Sequence, residues 1–142
     1  MRVVVDTSIW SLAFRRAPSA LNPAQEKLRQ ELAELIREGR AQMLGPIRQE
    51  ILSGIREEAQ FRRLREHLRA FEDEPLTTED NEEAAQANNR CRRAGVAGSA
   101  IDFLICAYAA RRNWAIFTSD RDFTQYAQHL SIRLYTPRPA KL

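Results

Sequence analysis

A chain of 142 residues, 44% hydrophobic and 29% charged, is sized for one folded domain burying about two thirds of its unfolded surface, and its composition excludes a fibrous or disordered polymer. The longest apolar run, FLICAYAA, is too short to span a bilayer, and the amino terminus enters a strand without the regions of a secretory signal, so no membrane contact is expected and the cytoplasm is the default compartment. The net charge is +3, with twenty arginines against two lysines; the arginine fork suits phosphate oxygens, while charge runs in general simply face water.

Val3 to Val5 predict a strand buried on both faces, because consecutive β-branched residues without polar alternation fit a parallel sheet covered by helices. TSIWSLAF follows as a short helix or turn. Asn22, Pro23, Gln25 and Gly39 mark the ends of a long helix with Leu28, Leu32, Leu35 and Ile36 as its buried stripe. AQML reads as the second strand, and Gly45-Pro46 opens a helix that contains Glu50. Residues 57–72 form an amphipathic helix with Phe61, Leu64, Leu68 and Phe71 inward and arginines outward. EPLTTED is the candidate third strand, ahead of an alanine-rich helix capped by Thr77 or Thr78. Beyond the VAGS loop, AIDFLICAYAARRN is apolar nearly all round, hence a buried helix, stopped by Asn113. WAIFT and SIRLY are the fourth and fifth strands, separated by an SDRD turn and a short helix, and residues 137–142 read as a flexible tail. Strands separated by helices give right-handed crossovers, so the expected fold class is α/β: a three-layer α/β/α sandwich with a mainly parallel five-stranded sheet, occupying residues 1–142 as a single domain. Cys91 and Cys106 match neither a disulfide framework nor zinc spacing and read as reduced packing residues.

Six aspartates stand against thirteen glutamates, and four of the six occupy awkward places. Asp6 ends the first strand, Asp120 and Asp122 follow the fourth, and Asp102 sits in the most apolar helix. Ligands of an open parallel sheet bind outside the carboxyl ends of its strands. If the first and fourth strands are neighbours, Asp6 and Asp120 meet in one crevice, with Asp102 and Glu50 pointing in from helices. Crowded carboxylates repel, and a divalent cation relieves the conflict. Oxygen donors suit Mg²⁺ or Mn²⁺, and such ions support in-line displacement at phosphorus, so phosphodiester hydrolysis is the suggested chemistry. Simpler readings stand beside each residue: Asp6 as a helix N-cap, Glu50 as a solvated helix residue, Asp102 as a first-turn acid, and Asp120 and Asp122 as turn and cap residues.

The segments VVVDTSIW, PIRQEILSGI and GSAIDFLICAYAARRNWAIFTSDRDF, in that order and spacing, resemble the PIN-domain nucleases from residue 3 to about residue 135, and the chain's size is similar to the VapC-like toxins of toxin-antitoxin pairs. The resemblance implies a PIN-like sheet of order 3-2-1-4-5 and an Mg²⁺- or Mn²⁺-dependent endoribonuclease. Carried over by position, Asp6, Glu50, Asp102 and Asp120 are the catalytic acids. Asp6, Asp102 and Asp120 would hold the metal directly, with Glu50 and Asp122 acting through water, or Asp122 capping the last helix. Thr7 and Ser8, with Ser8 favoured, would offer a hydroxyl to the metal shell or the scissile phosphate, and Arg92 and Arg93 would line the path of the RNA. A homodimer and a cognate antitoxin are also implied. The long arginine-rich helix departs from the shortest toxins. The competing reading is a non-catalytic or weakly catalytic PIN-like module that binds RNA or protein and uses its metal structurally.

Overall fold

In the computed structural model, which describes residues 1–139, three valines do open the sheet: β1 (Val3–Val5) is buried throughout and occupies a central position. It pairs in parallel with β2 (Ala41–Gln42) on one side and β3 (Ala115–Phe117) on the other, and β3 pairs in parallel with β4 (Arg133–Leu134). The order is therefore β2-β1-β3-β4. The anticipated outer strand next to β2 is reduced to a single parallel bridge between Met43 and Asp73. Pro75 lies two residues beyond that bridge and has no amide hydrogen to continue a ladder, so a four-stranded sheet stands where five strands were expected.

Helices flank this sheet. α1 (Thr7–Phe14) leaves β1 directly and packs against α2 (Pro23–Arg37) and α3 (Gly45–Leu52), with α4 (Glu58–Leu68) against α3. Asn22 and Gln25 form the expected capping box at the start of α2. α5 (Thr78–Arg93) packs on α6 (Ala100–Arg112), which lies against β1 and β3, and α7 (Asp122–Tyr126) precedes β4. Asn113 ends α6 in the left-handed conformation at φ 58°, a cost that Asn tolerates better than most residues. Cys91 and Cys106 are buried free thiols.

Two contacts fix the frame in ways the sequence pattern did not announce. Asp80, wholly buried, receives Arg111 at 2.6 Å and Arg112 at 2.9 Å, joining α5 to α6, while the Arg112 guanidinium lies 3.6 Å from the centre of the Tyr108 ring. Arg138, within the segment read as a flexible tail, reaches Glu31 at 2.9 Å and Glu38 at 2.7 Å. The remainder of that segment, 140–142, lies outside the described residues.

Candidate active site

The register of the central strands builds the site. Val5 is paired with Phe117, and the Asp6 amide donates to the Phe117 carbonyl at 2.9 Å, so the chain leaves both strands side by side at their carboxyl ends. Sheet order reverses between β1 and β3, the position at which open α/β sheets place a ligand crevice. The neighbour that β3 presents to Asp6 is Thr118. Its hydroxyl donates to Asp6 Oδ2 at 2.8 Å, and the Ser8 hydroxyl donates to the same oxygen at 2.8 Å. Both hydroxyl oxygens then accept backbone amides of the following loop, Ser8 from Ser119 at 3.0 Å and Thr118 from Asp120 at 3.0 Å. Asp6 also accepts the Ser8 amide as N-cap of α1. Asp6 is therefore the N-cap of α1 while standing at the carboxyl end of β1.

Three carboxylates converge beside it. Asp102, Asp120 and Asp122 each bring an oxygen within 4.8 Å of the others. Asp102 is delivered by the first turn of α6, whose N-cap Ser99 accepts the Asp102 amide at 3.1 Å. Asp120 is shaped by its loop, its Oδ1 accepting the Asp122 amide at 2.9 Å, and Asp122 starts α7. Asp6 lies outside this trio, yet its charge acts on Asp102. Burial pushes the Asp102 carboxyl above its ordinary range; the Tyr126 hydrogen bond opposes this, while Asp6 and Asp120 add to it. Burial likewise raises Asp6 against the lowering hydrogen bonds of Ser8 and Thr118. A buried carboxyl such as Asp102, whose charged form neighbouring carboxylates also oppose, is suited to a hard divalent cation, and an all-oxygen donor set fits Mg²⁺ or Mn²⁺.

The other expected site residues take different places. Glu50 is exposed on α3, outside the trio. The Ser8 hydroxyl is engaged within the protein, holding Asp6 and the loop after β3, whereas Thr7 Oγ1 is buried with no hydrogen-bond partner among the described residues. Arg92 and Arg93 are exposed at the end of α5, without an ion pair among the described residues, and Arg92 lines a cavity of about 420 Å³ between α5 and α6 together with Asn88, Gly98 and Phe103. Sequence reasoning missed Thr118, which is recognisable only as the polar residue closing WAIFT. It also missed Tyr126, whose hydroxyl donates to Asp102 Oδ2 at 2.7 Å.

The PIN domain profile matches residues 3–128. The chain belongs to the PIN domain family. Among solved structures it is similar to FitAcB from Neisseria gonorrhoeae, at 19% identity over 95% of this chain and 97% of that one with a TM-score of 0.72. VapBC2 from Rickettsia felis, bound to a DNA fragment from its promoter, is similar at 14% identity over 95% and 98% with a TM-score of 0.70. VapBC-1 from nontypeable Haemophilus influenzae shares 13% identity over 95% and 97% with a TM-score of 0.66. No curated protein gives a significant sequence match. Among the described residues, no helix is long and apolar enough to cross a membrane.

Proposed function

We propose that the chain is a divalent-cation-dependent endoribonuclease of the cytoplasm, the toxin of a toxin-antitoxin pair, working as a homodimer restrained by a small antitoxin. The observation that carries the reading is the convergence of Asp102, Asp120 and Asp122 beside the buried Asp6 at the carboxyl ends of β1 and β3. Support for the toxin role comes from the similar folds of FitAcB and the VapBC proteins, one further neighbour, from Klebsiella pneumoniae, being described as a toxin-antitoxin complex.

Asp6, Asp102 and Asp120 would hold Mg²⁺ or Mn²⁺, with Asp122 at the open side and Glu50 reaching in through water. When bound, such an ion supplies positive charge against phosphodiester oxygens and lowers the pKa of the water it carries. The protein's own part is positional. Ser8 and Thr118 keep the Asp6 carboxylate aimed from the end of β1, the Asp120 turn fixes the loop after β3, and the α6 cap sets Asp102 at the rim. Arg92, beside the cavity between α5 and α6, and Arg93 at the same helix end offer cationic forks to the RNA backbone.

The test is incubation of the purified chain with total RNA in Mn²⁺ or in EDTA, beside its Asp102→Asn variant. Cleavage that needs the cation and falls about a hundredfold or more in the variant is the expected result, given the rate contribution of acid, base and metal groups. Cation-dependent RNA binding without cleavage by the wild-type chain would instead support the non-catalytic module.

A further inference from the structure

Tyr126 lies outside the acidic motifs, and its ring is completely buried. Three neighbours hold it. Phe103 from α6 packs at 5.1 Å and Phe123 from its own helix at 5.2 Å between ring centres. Gly98 closes the third side: a methyl group there would stand 2.5 Å from the Tyr126 hydroxyl and 2.9 Å from ring atoms of both Tyr126 and Phe103. Only a hydrogen fits in that gap as the rings stand, and the Tyr126 ring is fully buried between Phe103 and Phe123. The hydroxyl emerges from this packing at a fixed point and donates to Asp102 Oδ2 at 2.7 Å.

The same economy appears at the neighbouring acids. The hydroxyls of Ser8 and Thr118 and the Ser8 amide all land on Asp6 Oδ2, and the Asp122 amide lands on Asp120 Oδ1. The side-chain hydroxyls that reach Asp6 and Asp102 from other parts of the chain each meet one oxygen, Oδ2 in both cases. Groups behind a ligand set its direction and basicity, and losing one ordinarily weakens metal affinity about 10- to 100-fold.

We propose that Tyr126, wedged by Gly98, Phe103 and Phe123, is a positioning residue of the cation site, retaining one oxygen of Asp102 for the protein and turning the other toward Asp120 and Asp122. The inference rests on the cation-binding reading given above and extends it to the loop 96–99, whose close approach at Gly98 is then part of the site. Asp102 alone, released from Tyr126, would rotate about its side-chain torsions and present no fixed donor.

Binding of Mn²⁺ to the full chain, measured by calorimetric titration, tests this independently of catalysis, with melting in EDTA as the control for folding. Tyr126→Phe keeps the ring and removes only the hydroxyl. The expected result is about a tenfold or greater loss of Mn²⁺ affinity with a melting temperature in EDTA within about 5 °C of wild type. Tyr126→Phe added to Asp102→Asn should cause little further loss, because the hydroxyl acts through Asp102. Gly98→Ala, which forces the hydroxyl aside, should weaken Mn²⁺ in the same way, and Tyr126→Phe added to it should cost little more. Mn²⁺ affinity within about twofold of wild type in either folded single variant, or additive losses in the Asp102→Asn pair, would overturn the proposal. A wild-type chain that binds no Mn²⁺ would overturn the cation-site reading itself, and this inference with it.

Discussion

At the scale of single residues, the site is a balance between crowding and support. Asp6 and Asp102 both sit above the ordinary carboxyl range because burial disfavours their charged forms. A raised carboxyl binds more protons in the folded chain than in the unfolded one, so without a cation these two groups cost stability as pH rises above their unfolded values and cost least in acid. Asp102→Asn removes that charge while leaving an oxygen for Tyr126. Its melting temperature in EDTA at neutral pH should match or exceed that of the wild type, and the difference should shrink as the pH is lowered; a melting temperature several degrees lower would mean that Asp102 serves chiefly as a helix-end acid. The scarcity and placement of the four aspartates are legible in the sequence because acids at strand ends and inside an apolar helix need a reason. Their supporting hydroxyls are not. Nothing in WAIFTSD separates Thr118 from Ser119 until the pairing of Val5 with Phe117 shows which one faces Asp6.

Helices and strands show the same division between local and distant causes. The capping box of Asn22 and Gln25 and the stop at Asn113 are written in adjacent residues and can be read directly. The outer strand fails because its partner has to come from another part of the chain and Pro75 denies it a donor. The joint between α5 and α6 is likewise invisible locally, since Arg111 and Arg112 lie 31 and 32 positions beyond Asp80. Asp80 is buried, and its carboxyl is held well below the usual range because the arginine and Thr77 hydrogen bonds outweigh burial. Here the sign is opposite to that of Asp102: the contribution to stability is complete above the unfolded value of about 3.8 and is lost as pH falls toward the lower folded value. Asp80→Asn should destabilise the chain by about 1–3 kcal/mol at pH 7 in urea titration, less than a fully buried broken pair because both arginines can regain water, with the gap closing in strong acid. Equal stability at pH 7 would show the joint to be dispensable.

For the molecule as a whole, a small positive charge built from arginines gives no fold information, but it frames how an RNA would be held. The acids gather at one rim, and the exposed Arg92 and Arg93 stand at the end of α5. In a chain silenced by Asp102→Asn, single-stranded RNA binding should weaken as salt rises, and replacing both arginines by alanine should flatten that dependence by about 0.7 logarithmic unit for each phosphate no longer neutralised. An unchanged slope would place the RNA elsewhere. The Arg138 ion pairs with Glu31 and Glu38 join the end of the described chain to α2, a long-range contact that composition alone does not announce.

If carboxylates from three separate segments share one divalent cation at the junction of β1 and β3, anomalous diffraction from a crystal soaked in Mn²⁺ will locate it there. A single strong peak between Asp102, Asp120 and the Asp6 rim, absent from a crystal of Asp102→Asn, is the predicted result. A peak elsewhere, or none at this rim with Mn²⁺ in large excess, would contradict it.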